Sequence, residues 1–141
     1  MTREEITALF ARRQEAWMRR DIPWLEDLYT EDAAVESPFG GGSHQGREAI
    51  GKVSQAFFQA FPDAVLHTDE LVIDGHRVVL IGRISGTDRG GFMGLSPTGR
   101  SFDIPMVFLF DLENGLIARE RRIYDFTGLL VQVGAIKAKP A

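Results

Sequence analysis

The stretch Phe102-Asp103-Ile104-Pro105-Met106-Val107-Phe108-Leu109-Phe110-Asp111-Leu112 alternates with a period of two, placing Phe102, Ile104, Met106, Phe108 and Phe110 on one face. Successive side chains of a strand point to opposite sides, so this pattern predicts a strand with one face in a core. Val107 and Leu109 make the second face apolar as well. Asn114-Gly115 follows, a dipeptide suited to a tight hairpin turn, and Leu116 to Phe126 reads as the returning strand. Upstream, Val65 to Asp74 and Arg77 to Thr87 read as two further long strands meeting at Asp74-Gly75.

Before these strands the apolar period is near four. Thr2 with Glu5 three residues later forms a capping box, and Ile6, Leu9, Phe10, Arg13 and Trp17 follow at helical spacing. An amphipathic helix is predicted from Thr2 to about Arg20. Pro23 starts a short second helix with Trp24, Leu25, Leu28 and Tyr29. Ala33 to Ser37 reads as a short strand stopped by Pro38, and Gly40, Gly41 and Gly42 as a flexible loop. Ile50, Val53, Phe57 and Phe61 mark a third helix from about Arg47, stopped at Pro62. The tail from Phe126 to Val131 adds a short helix or strand. Clustered helices followed by hairpin-linked strands predict an α+β fold rather than a wound α/β sheet.

The chain has 141 residues, a net charge of −4, 44% hydrophobic residues and no cysteine. That length predicts one domain over residues 1–141, which would bury roughly 68–70% of its unfolded surface. With no cysteine, a disulfide scaffold, a thiolate nucleophile and a zinc ribbon are excluded. A mildly acidic chain has no broad basic footprint for nucleic acid or anionic membrane. No apolar run approaches the ~18 residues of a membrane span. The charged start Met1-Thr2-Arg3-Glu4-Glu5 does not read as a secretory signal, and a cytoplasmic location is expected.

Among groups that carry chemistry, Asp125 stands near the end of the last strand, after Ile123-Tyr124 and before the apolar tail. Walled by such groups, its carboxyl would lose solvation and titrate nearer neutrality, as a general acid or base requires. The plainer reading is an aspartate capping the terminal helix. Arg83 interrupts an apolar strand, so it faces a cavity or an interface with Asp125 or Asp103 as counter-charge, or else lies on the surface. His44 lies in the glycine loop, either over a pocket mouth or in solvent; His67 and His76 read as surface residues. The three histidines lack metal-ligand spacing, so no metal is expected. Trp17, Phe57, Tyr124, Phe92 and Met93 are read as partly lining an apolar pocket, although most aromatic side chains are simply core. Arg119-Glu120-Arg121-Arg122 alternates within a strand and reads as a solvated or interface face.

The order of elements resembles the nuclear transport factor 2-like superfamily and, within it, the SnoaL-like polyketide cyclases. The residues carrying the resemblance are Leu28-Tyr29-Thr30-Glu31-Asp32-Ala33, Gly46-Arg47-Glu48-Ala49-Ile50, Ala60-Phe61-Pro62-Asp63, Gly91 to Arg100, Asp125 and Leu130-Val131-Gln132-Val133-Gly134. The resemblance implies a cone-shaped, curved antiparallel sheet wrapped around a long helix (an α+β roll) that encloses a pocket. It implies catalysis without a cofactor, with Asp125 removing a proton from an activated carbon so that the enolate closes a ring. Arg83 would set the charge of Asp125 or bind an oxyanion. It further implies an apolar small-molecule ligand and a homodimer formed through the sheet face. Many relatives have a histidine where this chain has Asp88.

Two sharper chemistries of the superfamily fit poorly. Ketosteroid isomerases would need a base at Ser37 and an oxyanion pair at about Arg13 and Met106. Limonene-epoxide hydrolases would need a second acid at Ser85, unless Glu36 or Asp103 fills the space. The remaining alternative is a binding protein that holds a hydrophobic metabolite without chemistry.

Overall fold

The computed structural model describes residues 1–137. Helix α1 spans Arg3–Met18 and opens on the expected capping box: the Glu5 amide donates to Thr2 Oγ1 at 3.1 Å and the Thr2 amide to Glu5 Oε1 at 2.9 Å. Helix α2 (Ile22–Glu26) is capped by Asp21, which accepts from the Trp24 amide. Strand β1 (Tyr29–Ser37) begins earlier than the sequence suggests, at Tyr29 rather than Ala33. After a turn through Gly40 and Gly41, both at positive φ, Gly42–Gln45 forms β2 against β1 where a flexible loop is expected. Helix α3 (Arg47–Ala60) ends two residues before Pro62. The long strands follow as β3 (Val65–Asp74), β4 (Arg77–Thr87), β5 (Ser101–Glu113) and β6 (Leu116–Tyr124), and α4 (Phe126–Gln132) closes the series. Strand β6 stops two residues short of Phe126 because Asp125 turns the chain into α4.

The architecture is α+β: one curved six-stranded sheet in the order β2-β1-β6-β5-β4-β3, with the helices packed on it. Every neighbouring pair is antiparallel except β1 with β6, which run parallel. The uniformly antiparallel sheet anticipated from sequence therefore has one parallel seam, made because β1, besides pairing with β2, lies beside the last strand.

Phe102, Ile104, Met106, Phe108 and Phe110 are all buried on the inner face, as their alternation predicts. Ile6, Leu9, Phe10 and Trp17 of α1 and Ile50, Phe57 and Phe58 of α3 cover them. Each such side chain contributes about 1.5–3 kcal/mol on leaving water, so this layer dominates the stability. Gln14 of α1 donates to the Leu66 carbonyl at 2.6 Å, which fixes the helix across β3.

One irregularity matters for the site. Asp111 pairs with Arg119 but Leu112 pairs with Ile117, so Ala118 is an extra residue in β6. A one-residue bulge inverts which face each later side chain takes. Downstream of Ala118 it is Glu120 that is buried, while Arg119 and Arg121 are exposed.

Candidate functional site

A cavity of about 550 Å³ opens between four segments: the Pro38–Gly41 turn, Ala56 and Gln59 of α3, the Gly90–Met93 turn, and Phe126 at the start of α4. Its lining is mainly apolar. Phe39, Phe92 and Phe126 supply the rings, with Phe39 6.0 Å from Phe92 and 6.3 Å from Phe126 between centroids. The Gly90 backbone sits directly on α3: a Cβ there would lie 1.8 Å from the Gln59 carbonyl oxygen, so only glycine permits this wall.

Asp88 holds the Gly90–Met93 turn in place. It is 2% exposed; Oδ1 accepts from the Gly91 amide at 3.1 Å, and Oδ2 accepts from the Thr98 amide at 3.1 Å and its hydroxyl at 3.2 Å. Asp88 thereby ties both ends of the segment that presents Phe92 and Met93.

Behind the cavity, one layer of aromatic side chains separates it from a gap of about 20 Å³ lined by Trp17, Ser54, Phe57, Phe58, Ile84, Phe108, Arg122 and Tyr124. Phe39 of the cavity lies 5.3 Å from Phe57 of the gap, and Phe126 lies 6.5 Å from Tyr124. The Tyr124 hydroxyl accepts from the Phe39 amide at 3.3 Å, and burial pushes the pKa of its phenol above the ordinary value.

Next to the gap lies a buried charged cluster. Glu120 Oε2 accepts from Arg122 Nε at 2.5 Å and from Arg13 at 3.3 Å, while Oε1 accepts from the Tyr29 hydroxyl at 2.5 Å. Burial opposes the charge on Glu120, but Arg122, Arg13 and the Tyr29 hydroxyl outweigh it and hold the carboxyl below its usual range. Burial, reinforced by the charge of Glu120, pushes the Tyr29 phenol up to about 12. Arg13 lies over the rings of Phe108 and Phe110, at 5.5 and 5.0 Å, and its Nε is buried without a hydrogen-bond partner among the described residues.

The residues expected to form the site are therefore divided. Phe92 and Met93 line the cavity; Trp17, Phe57 and Tyr124 line the gap behind it. His44 does neither: its ring packs behind Gly40, with Nε2 buried and unpartnered among the described residues. Asp125 takes the plainer of its two readings. It is exposed and caps α4, its Oδ1 accepting from the Gly128 amide at 2.8 Å, so the apolar wall expected around it is not there.

Arg83 takes the surface position among its expected readings, with Asp103 rather than Asp125 as its counter-charge. Val78, Leu80 and Ile84 of β4 face the core, so Arg83 takes the outer face, where Nε donates to Asp103 Oδ1 at 2.8 Å. It meets neither the cavity nor Asp125, and the epoxide-hydrolase arrangement built on that pair goes with it. Arg119-Glu120-Arg121-Arg122 is corrected in half. Arg119 and Arg121 do form an exposed face, but Glu120 and Arg122 turn inward because of the bulge at Ala118.

The family model described as SnoaL-like polyketide cyclase matches residues 8–133. Comparison with curated proteins finds no match. Among solved structures, IdmH of Streptomyces antibioticus, provisionally described as a polyketide cyclase, is 28% identical with a TM-score of 0.77, over 91% of this chain and 97% of its own. AclR of Streptomyces galilaeus, provisionally described as a hydroxylase, is 24% identical with a TM-score of 0.83, over 99% of this chain and 87% of its own. A SnoaL-like protein of Jannaschia sp. CCS1 is 20% identical with a TM-score of 0.85, over 94% of each chain.

Proposed function

The chain belongs to the SnoaL-like polyketide cyclase family, and from that premise we propose that it catalyses acid/base chemistry on an apolar carbonyl compound held in the 550 Å³ cavity. The reaction is an enolate-type cyclisation or isomerisation, run by side chains without a cofactor. The observation that carries the reading is the cavity itself: a ring-lined space with Gln59 as its polar side chain suits a flat, largely apolar body. Asp125 is the proposed proton carrier. It directly precedes Phe126 of the cavity wall, and its Oδ2 makes no hydrogen bond among the described residues.

The test uses Asp125→Asn and the uptake of solvent deuterium at the carbon beside the carbonyl of a cyclic ketone. Asparagine caps a helix about as well as aspartate, so the variant keeps the fold while losing the base. Exchange should fall roughly 10²–10⁴-fold, the range that a general base contributes. Exchange within about threefold of wild type removes Asp125 from the mechanism.

The exposure of Asp125 favours one second reading, a protein that binds an apolar metabolite without chemistry. Ligand binding by the wild type with no catalysed exchange would select it. We further propose a homodimer through the outer sheet face, where Val72 and Ile123 are exposed beside Val79, Ile81, Val107 and Leu109. A monomer mass by light scattering at micromolar concentration would rule that out.

A further inference from the structure

We propose that Arg122, with Ser54 and Tyr124 beside it, is the binding site for an anionic oxygen of the substrate, a carboxylate or the enolate formed in the reaction, whose ring body lies in the cavity. The inference rests on the reading of the cavity as a substrate site and adds the charge of what enters it.

The first support is a charge count. Two guanidiniums, Arg13 and Arg122, share the single carboxylate of Glu120, and the third neighbour, Tyr29, is a neutral phenol at pH 7. Among the described residues no other carboxylate lies within 4.0 Å of either guanidinium. The interior therefore carries one uncompensated positive charge, which a low-dielectric core does not tolerate without a partner. Contact with the rings of Phe108 and Phe110 offsets part of it.

The second support is hydrogen-bonding capacity. Both guanidiniums reach the same oxygen, Glu120 Oε2, and Tyr29 takes one side of the other, so the carboxylate has far fewer acceptor sites than the two guanidiniums have N–H donors. Arg122 donates only through Nε among the described residues, and it lines the 20 Å³ gap, a space able to hold one water-sized group. Ser37 is 4% exposed; it follows Glu36, which pairs with Arg121, so it flanks Arg122 in the sheet. A donor-rich space of one-atom width beside an unmatched charge is shaped for an oxyanion.

The third support is position. One layer of rings, Phe39 with Phe57 and Phe126 with Tyr124, divides this gap from the cavity. Binding in this mode requires one of these rings to rotate and join the two spaces, so that a ring system in the outer cavity projects its oxygen onto Arg122.

Benzoate and benzamide, which share a shape and differ in charge, test this by calorimetric titration at pH 7. The protein's net charge of −4 disfavours anions at long range, so a preference for benzoate must arise locally. Benzoate should bind at least tenfold more tightly than benzamide to the wild type. Arg122→Met should reduce the ratio below threefold, whereas Arg121→Met, which alters an exposed outward neighbour, should preserve it. Arg122→Lys, which keeps the charge with less perturbation, should retain part of the preference and serves if the methionine variant does not fold. Equal affinities in the wild type overturn the anion site while leaving the apolar cavity standing. A preference that survives Arg122→Met, or that Arg121→Met abolishes, also overturns it. Failure of both compounds to bind removes the cavity reading together with the anion site.

Discussion

Arg121 and Arg122 are neighbours in β6, and each forms an ion pair with a glutamate through Nε. Arg121 meets Glu36 at 3.2 Å on the outer face, with the two side chains 59% and 50% exposed. Arg122 meets Glu120 at 2.5 Å on the inner face, with the two side chains 11% and 0% exposed. The residue types are the same and the consequences are opposite. On the outer face, water screens the pair and solvates either partner left alone, so the bond adds little. On the inner face, each charge depends on its neighbours, and removing one exposes the others to the full desolvation penalty. One peptide unit thus separates a decorative ion pair from a structural one.

The largest test of that contrast is Glu120→Gln. It leaves Arg13 and Arg122 without their carboxylate and should cost about 3–5 kcal/mol, read as a drop in urea midpoint. A loss under about 1 kcal/mol would mean that water reaches the inner cluster. Tyr29→Phe removes one bond to the same carboxylate and should cost about 1.5–3 kcal/mol by the same measurement. Glu36→Gln and Asp103→Asn, on the outer face, should each change stability by less than about 1 kcal/mol.

Proton linkage sharpens the same comparison. The folded-state pKa of Glu120 lies below its ordinary 4.5, so its contribution is complete above that pH and disappears as pH falls through the lowered value. The stability gap between wild type and Glu120→Gln should therefore stay constant from pH 7 to about 4.5 and narrow below it. A gap that does not narrow would contradict the assignment. At the alkaline end, the chain has two tyrosines, and both are shifted upward. Phenolate absorbance of the native protein should rise at higher pH than that of the unfolded chain, which is half-titrated near pH 10. The stability tied to the neutral Tyr29 phenol is present below pH 10 and is lost as pH rises through about 12.

Much of the fold was legible in the sequence because local rules and global packing agree there. The Thr2–Glu5 box, the Phe102–Phe110 alternation and the turns at Asp74-Gly75 and Asn114-Gly115 each specify their own geometry. Strand β2 was hidden because Gly42-Ser43-His44-Gln45 has no strand propensity of its own and exists only by pairing with β1. The buried cluster was hidden by the bulge at Ala118. Counted in twos from Ile117, the pattern would send Arg119 and Arg121 inward, and no residue in the stretch advertises the skip. Arg83 was ambiguous because both faces of β4 are apolar, which leaves alternation without a reference face. Asp125 was the opposite case: both of its readings were visible, and the chain shows the one that local capping chemistry supplies.

The parallel seam between β1 and β6 also bears on how the chain reaches this state. Tyr29 bonds Glu120 across 91 residues of sequence and Arg13 does so across 107. Contacts of that span are slow to form, because chain entropy must be lost before they stabilise anything. On a ribosome, the first strand emerges long before β6, its neighbour toward the middle of the sheet, and its inward polar groups stay solvated until β6 has been synthesised. The closing of the core and the pairing of its charges are then one late event, which makes the nascent N-terminal third the segment most dependent on protection from premature association.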